Sequence, residues 1–156
     1  MCGISTWITK EYKEEKFKVM NQIISHRGPD DEGFFVTQKN DVTIAIGHRR
    51  LSIIDLSENG KQPMKFNSLH ISYNGEIYNF AELAAELKEL GCAFQTPSDT
   101  EVILHAWRMW GESCVTRFRG MFAFAIYDKQ RQCVFLARDR LGIKPLFYSC
   151  IGGDVL

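Results

Sequence analysis

The chain has 156 residues, of which 45% are hydrophobic and 24% charged, a composition typical of one globular domain with a sizeable core. Its 19 Lys and Arg residues balance 19 Asp and Glu residues, which removes the electrostatic attraction on which binding to nucleic acid or an anionic membrane depends. No apolar run approaches the roughly 20 residues of a membrane span, and no basic segment followed by an apolar stretch opens the chain. These features predict a cytoplasmic protein that binds neither nucleic acid nor membrane.

The cysteines and histidines show no metal-binding spacing. The five cysteines include no Cys-x-x-Cys pair, and the four histidines form no His-Glu-x-x-His motif. We therefore expect no metal site and no redox motif.

The first elements alternate between strand and helix. A short apolar stretch, Cys2–Trp7, precedes a helix predicted over Phe17–Ile24 because apolar residues recur there at helical spacing. That helix ends at His26–Pro29, which is loop sequence. Two β-rich runs, Gly33–Thr37 and Val42–Gly47, flank a polar turn and predict a hairpin.

The middle of the chain predicts one strand followed by one helix. Leu69–Tyr73 alternates like a strand and ends at Asn74-Gly75. A helix then begins at Asn79 or Phe80, where Asn79 and Glu82 resemble a capping box, and ends before Gly91. Its apolar face carries Leu83, Leu87 and Leu90.

The last third predicts a second helix, a second hairpin and a final strand. Antiparallel hairpins with helices inserted together indicate an α+β fold. Gly152-Gly153 has the sequence of a hairpin turn, and the strand after it is left unfinished, so we expect the chain to be a fragment of a longer protein. The predicted elements are helices from Ser98 to Gly111 and over Glu112–Phe118, and strands over Met121–Tyr127, Val134–Arg138 and Leu146–Ser149.

Cys2 is the first candidate for chemistry. A small residue after the initiator predicts removal of Met1, which leaves Cys2 with a thiol and a free α-amine on one residue. The pKa of an α-amine is about 7.7–8.0, so this group can act as the base that activates the thiol near neutral pH. The pair is the N-terminal variant of a nucleophile and its base. Because many chains begin Met-Cys by chance, the motif is weak alone.

Three further positions each have an ordinary and a functional interpretation. Arg50 is either a solvated surface residue or a residue whose planar guanidinium binds a small carboxylate through two hydrogen bonds. Asn74-Gly75 is either a hairpin turn or an oxyanion hole built from an amide and a backbone N–H. Asp99 either caps its helix or pairs with a substrate ammonium. Taken singly, the ordinary interpretation is the stronger one at each position.

Together these residues describe one pocket. A thiol attacks, an amide pair holds the oxyanion, and Arg50 and Asp99 bind the two charged ends of an amino acid. An amino acid with a scissile side-chain carbonyl is glutamine or a close relative. Acyl transfer to Cys2 would release ammonia, and water would then free glutamate.

Seven sequence blocks occur in the order typical of one family. On these blocks the sequence resembles the class II glutamine amidotransferase domain of N-terminal nucleophile (Ntn) hydrolases, and specifically the glutaminase half of asparagine synthetase-like proteins. The blocks are Cys2-Gly3-Ile4, His26-Arg27-Gly28-Pro29-Asp30, Arg50-Leu51-Ser52-Ile53-Ile54-Asp55, Asn74-Gly75-Glu76-Ile77-Tyr78-Asn79, Ser98-Asp99-Thr100-Glu101, Gly120-Met121-Phe122-Ala123-Phe124, and Arg138-Asp139 with Gly142-Ile143-Lys144-Pro145-Leu146.

The resemblance implies a fold and a role for each site residue. It implies one domain over residues 1–156, folded as a four-layer α/β/β/α sandwich with two antiparallel sheets. Cys2 would be the nucleophile, Asn74 and Gly75 the oxyanion hole, and Glu76 and Asp99 the contacts to the substrate amine. The substrate carboxylate would bind Arg50 with the loop after it, which comprises Leu51, Ser52, Ile53 and Ile54.

The resemblance also implies partners. The expected substrate is L-glutamine. The expected protein partner is an ATP-dependent synthetase domain, either linked to this chain or on a separate chain. A homodimer is also possible on this resemblance. No Ser-Gly-Gly-x-Asp-Ser phosphate loop occurs in the sequence. We therefore expect no cofactor for the glutaminase step, with ATP and Mg²⁺ needed only in the synthetase domain. The acceptor of the ammonia, aspartate or another precursor, is left open.

Two alternative functions remain. One is a catalytically idle Ntn domain that docks to or regulates a synthetase. Such a domain should have lost Cys2, the Asn74-Gly75 pair, or the residues Arg50 and Asp99 that would bind the amino acid. The other is an Ntn amidohydrolase that acts on a different amide, which substitution of Arg50 or Asp99 would favour. All of these residues are present.

Overall fold

The computed structural model describes residues 2–51 and 60–156. Within these ranges the α-helices are α1 (Glu14–Ile23), α2 (Phe80–Glu89), α3 (Asp99–Trp110) and α4 (Cys114–Arg117), with short 3₁₀ turns at Ser25–Arg27 and Gly111–Ser113. The strands are β1 (Gly3–Thr9), β2 (Asp31–Lys39), β3 (Val42–Arg50), β4 (Met64–Phe66), β5 (Leu69–Ile77), β6 (Gly120–Asp128), β7 (Cys133–Arg138), β8 (Cys150–Ile151) and β9 (Asp154–Val155). No helix in this part of the chain is both long enough and apolar enough to cross a membrane.

The strands form two antiparallel sheets. The first has the order β2-β3-β1-β9-β8 and the second β4-β5-β6-β7. Two buried hydrogen bonds join β3 to β5: one between His48 Nε2 and the Tyr73 carbonyl at 3.2 Å, and one from Ser72 Oγ to the Gly47 carbonyl at 3.0 Å. The sheets therefore face each other.

Helices cover the other faces of the two sheets. Phe17 of α1 packs with Trp7 and Ala45 of the first sheet, while α2 and α3 pack on the second sheet through one large apolar cluster. This arrangement confirms the predicted α+β class and the four layers. Burial of each large apolar side chain contributes about 1.5–3 kcal/mol, so the cluster on β5 and β6 anchors the sheet that carries much of the site. Its fully buried members include Ile71, Ile77, Leu87, Ile103, Trp107 and Phe124.

The prediction that a strand ends at Asn74-Gly75 is wrong, and so is the hairpin-turn interpretation of that pair. Strand β5 continues to Ile77, and Gly75 lies opposite Phe122 of β6. A Cβ on Gly75 would lie 2.3 Å from the Met121 carbonyl oxygen. The glycine is therefore required by the close approach of two strands, and its neighbour Asn74 stays in a regular sheet.

The predicted capping box is also wrong. Asn79 is the residue before α2, but its side chain makes no bond to the helix. Instead Asn79 Oδ1 accepts a hydrogen bond from Arg119 N at 2.8 Å, and Nδ2 donates to the Arg117 carbonyl at 3.0 Å. Tertiary contact with the segment before β6 thus replaces the local cap. Leu90, predicted on the apolar face of α2, is half exposed.

The final strand lies later than predicted. Residues 146–149 form no strand, and β8 begins at Cys150. The side chains of Phe147 and Tyr148 are 85% and 73% exposed, so this aromatic pair does not lie on a buried sheet face. The turn at Gly152-Gly153 is confirmed, and β9 after it pairs with both β8 and β1.

Candidate active site

A cleft of about 630 Å³ lies where the two sheets meet the N-terminus of α3. It brings together residues from widely separated parts of the sequence. Among them are six of the predicted site residues: Cys2, Leu51, Asn74, Gly75, Glu76 and Asp99. The remaining described lining residues are Gln62, Tyr73, Phe80, Pro97, Ser98, Thr100, Met121 and Lys144.

Cys2 lies directly before β1, partly buried and not in a disulfide. Arg27 Nε donates a hydrogen bond to the Cys2 carbonyl oxygen at 3.2 Å. Arg27 ends the 3₁₀ turn after α1, and the next residue, Gly28, accepts a hydrogen bond from Arg49 Nε of β3 at 3.2 Å. The His26–Asp30 block, which had no assigned role, therefore fixes the backbone of the residue that carries the thiol.

Asn74 provides an unused amide in the cleft wall. Its side chain is 5% exposed, and no hydrogen bond to it occurs among the described residues. An amide that lines a cleft and makes no bond to the described residues is suited to binding a ligand oxygen.

Asp99 is not the cap of α3. Ser98 takes that position, and its Oγ accepts a hydrogen bond from Glu101 N at 3.3 Å. Asp99 Oδ2 instead accepts bonds from the Tyr73 hydroxyl at 2.6 Å and from Ile77 N at 3.0 Å. The capping interpretation of Asp99 is therefore wrong, and its carboxylate is tied to β5.

Glu101 fixes the loop that leads into α3. Its carboxylate accepts hydrogen bonds from Gln95 N at 2.8 Å, Thr96 N at 2.6 Å and Thr96 Oγ1 at 2.7 Å. Burial acts to raise the pKa of Glu101, but these hydrogen bonds outweigh it and hold that pKa below its ordinary value. The ionised carboxylate thereby holds the chain just before Pro97 and Ser98, which line the cleft.

The structure describes only part of the predicted carboxylate-binding segment. Arg50 ends β3 with 8% exposure, so it is not the solvated residue of the ordinary interpretation, but it is not among the described residues that line the cleft. Leu51 does line it. Ser52, Ile53 and Ile54 lie outside the described residues.

Several lining residues were not predicted. Gln62 Oε1 accepts a hydrogen bond from Tyr73 N at 2.6 Å, which ties the loop before β4 to β5. Asp139 accepts hydrogen bonds from four backbone N–H groups, among them Lys144 N at 2.9 Å, and this places the buried Lys144 at the cleft. Lys144 lies in the Gly142–Leu146 sequence block, which could have marked it as a site residue. No sequence motif contains Gln62, so its position in the cleft was not predictable from the sequence.

The described residues contain no group of three or more His, Cys, Asp or Glu side chains placed to hold a metal ion.

Two facing antiparallel sheets between helix layers, with a cleft lined by the cysteine directly before the first strand, have the architecture of the Ntn hydrolases. The sequence profile of the glutamine amidotransferase domain matches residues 1–156. The chain belongs to this family of enzymes.

Comparison with individual proteins agrees with the family. The chain is 42% identical to asparagine synthetase (glutamine-hydrolysing) 3 of Bacillus subtilis, over all of this chain and 26% of the relative. It is 48% identical to asparagine synthetase 1 of the same organism, over 92% of this chain and 22% of the relative. Amidase chyE of Penicillium rubens is 36% identical over the whole chain and 25% of its own length.

A solved structure has the same fold. It is the glutamine phosphoribosylpyrophosphate amidotransferase of B. subtilis, with a TM-score of 0.77 and 22% identity, covering 97% of this chain and 40% of that one. The chain thus spans about a quarter of the length of these synthetase and amidase relatives.

Proposed function

We propose that this chain hydrolyses L-glutamine to glutamate and ammonia through a thioester on Cys2, and that the ammonia serves an ATP-dependent amidation of the asparagine synthetase type. The observation that supports the proposal is the shared cleft of Cys2, Asn74 and Asp99, which come from the chain start, a central strand and a helix N-terminus. No local sequence feature requires these three to meet.

The reaction follows from the groups in the cleft. The α-amine of processed Cys2 takes the thiol proton, and the thiolate attacks the side-chain amide carbon of glutamine. The Asn74 amide and the Gly75 backbone N–H hold the oxyanion that forms. Collapse of this intermediate breaks the C–N bond, and the protonated leaving group departs as ammonia. Water then cleaves the thioester, which frees glutamate and restores the thiol.

Substrate recognition uses the two charged ends of glutamine. Asp99 accepts the α-ammonium, with Glu76 beside it in the cleft wall. Arg50 and the loop after it are proposed to bind the α-carboxylate, since a guanidinium matches a carboxylate in a bidentate geometry.

The use of the ammonia is proposed from the relatives. Two of them are named as glutamine-hydrolysing asparagine synthetases and are about four times as long as this chain. A synthetase partner, linked or separate, would use ATP and Mg²⁺ and would receive the ammonia. The amidase relative leaves the acceptor open. The five free cysteines suit a reducing compartment, so we propose a cytoplasmic location.

The test is the intact mass of the purified chain before and after incubation with 6-diazo-5-oxo-norleucine, a reactive glutamine mimic. We expect loss of the Met1 mass and one adduct on Cys2, together with glutamate release from glutamine. Cys2→Ala should abolish both, whereas Cys92→Ala, which changes a partly buried cysteine outside the cleft, should preserve both. A retained Met1 or an unlabelled processed chain would favour the idle docking domain instead.

A further inference from the structure

Tyr73 joins two elements of the cleft that are distant in sequence. Its hydroxyl lies 2.6 Å from Asp99 Oδ2, so a residue of β5 contacts the first residue of α3. The side chain is 4% exposed, yet Tyr73 belongs to the cleft wall. This contact is the only described one between the Tyr73 hydroxyl and another side chain.

The main chain of Tyr73 is fixed on both sides. Its N–H donates to Gln62 Oε1 at 2.6 Å, and its carbonyl lies 3.2 Å from His48 Nε2. The position of the ring is therefore set by three different segments of the chain. The hydroxyl can therefore hold the Asp99 carboxylate in one position.

The Tyr73 hydroxyl is a permanent donor. Burial raises the pKa of Tyr73 well above its ordinary value, and the negative charge and hydrogen bond of Asp99 raise it further. The proton therefore stays on the oxygen near neutral pH. The bond to the ionised carboxylate is charge-assisted, which makes it stronger than a neutral one.

Both bonds to Asp99 use the same oxygen. Tyr73 and Ile77 N share Oδ2, while no donor to Oδ1 is present in residues 2–51 and 60–156. The carboxylate is thus held at one oxygen and keeps the other for a ligand. Without the hydroxyl, only the backbone N–H would restrain the Asp99 side chain.

We propose that Tyr73 is a positioning residue that fixes the Asp99 carboxylate for the α-ammonium of the substrate and so determines the preference for an α-amino acid. This inference rests on the proposed function, because it takes glutamine as the ligand. Tyr73 acts through Asp99 and does not touch the reacting carbonyl. Its removal should therefore affect binding of the ammonium end and leave the chemical step nearly unchanged.

The first test compares two substrates. Glutaramate lacks the α-amino group of glutamine and otherwise keeps its carboxylate and amide. In Tyr73→Phe we expect the KM for glutamine to rise about tenfold with a similar kcat, because a hydrogen bond to a charged group is worth about that much. The kcat/KM for glutaramate should stay unchanged. An equal loss with both substrates, or no loss with glutamine, would overturn the proposal.

Tyr127→Phe is the matched control. Tyr127 is another buried tyrosine of the same sheet, on β6, and lies outside the cleft. It should leave KM for both substrates as in the parent chain. A parent chain that does not release glutamate at all would overturn the proposed function, whereas an active parent with an unaffected Tyr73→Phe variant would overturn only the role of Tyr73.

A binding measurement provides a second test that needs no turnover. In a Cys2→Ala background, calorimetry gives the glutamine affinity of Tyr73→Phe, Asp99→Asn and the double variant. If Tyr73 acts through Asp99, Tyr73→Phe should weaken binding about tenfold when Asp99 is present and have no further effect once it is replaced. Additive losses would overturn the proposal.

Discussion

The guanidinium Nε of Arg27 lies 3.2 Å from the backbone carbonyl oxygen of Cys2, which connects the loop after α1 to the residue that carries the thiol. The contact is made to the main chain, so it fixes the position of Cys2 without occupying its side chain. Arg27 Nη2 is buried and has no hydrogen-bond partner among the described residues.

Replacing Arg27 tests this contact. Arg27→Lys keeps the charge but loses the donor at Nε, and we expect kcat for glutamine hydrolysis to fall about ten- to a hundredfold. Arg117→Lys changes an exposed arginine that pairs with Glu86, and it should have no effect on kcat. The measurement is steady-state glutamate release together with the rate at which 6-diazo-5-oxo-norleucine labels Cys2. An unchanged labelling rate in Arg27→Lys would argue against a positioning role.

Asn74→Ala tests the oxyanion hole. Loss of one such donor costs about 2.7–4 kcal/mol of transition-state stabilisation, so we expect kcat to fall about 10²–10³-fold with little change in glutamine affinity. Ser72→Ala is a control on the same strand. It removes a buried bond to the Gly47 carbonyl and should lower stability without changing kcat. Equal losses of rate and affinity in Asn74→Ala would make Asn74 a binding residue instead.

Gly75→Ala should be strongly destabilising. The new Cβ would lie 2.3 Å from the Met121 carbonyl oxygen and 2.7 Å from Phe122 Cα, so β5 and β6 must separate. Overpacking of this kind costs about 1–3 kcal/mol or more. Gly91→Ala adds a Cβ with open space around it and a strained φ of 87°, which should cost only about 1–2 kcal/mol. Urea unfolding gives the free energy of unfolding of both variants. A smaller loss of stability in Gly75→Ala than in Gly91→Ala would contradict the prediction.

His48 should make the fold sensitive to mild acid. Burial, with a smaller contribution from the nearby Arg50 charge, lowers the pKa of His48 to about 4. Between pH 6.5 and about 4 the unfolded chain takes up a proton that the folded chain does not, so the free energy of unfolding falls as the pH drops through that window and is restored above it. We expect His48 to account for a loss of about 2 kcal/mol between pH 7.5 and pH 5.

His48→Gln keeps a donor toward the Tyr73 carbonyl and removes the titration. Urea unfolding at pH 7.5 and pH 5 should show a loss about 2 kcal/mol smaller in this variant than in the parent chain. Burial also lowers the pKa of His70 to about 4, so the parent chain and the variant share that contribution. An equal loss in both proteins would mean that His48 does not titrate in this range.

The sequence was sufficient where the information is local. β-rich runs on either side of polar turns predicted both hairpins, and apolar residues at helical spacing predicted helices α1, α2 and α3. It failed where a distant contact replaces a local one. The Asn79 amide binds the segment before β6 and does not cap its own helix. Likewise Asn74-Gly75 follows the pairing of β5 with β6 and not its own turn preference.

The candidate site was predictable to a similar degree. Six of the predicted residues lie on one cleft, although their roles remain predictions. Arg27 and Tyr73 were not assigned any role, because each acts through a residue about 25 positions away. Motif spacing gives no distance between such pairs. The packing of a helix or turn against a strand brings each pair together.

The composition of the cleft also determines when activity can arise during synthesis. Cys2 is synthesised well before Lys144, which lines the same cleft. The hairpins between them are local and can form early, but they contain no complete site. A nascent chain therefore contains the Cys2 thiol long before the cleft around that thiol is complete. Cys2, the proposed nucleophile, therefore gains its complete cleft only after the segment that carries Lys144 has been translated and folded.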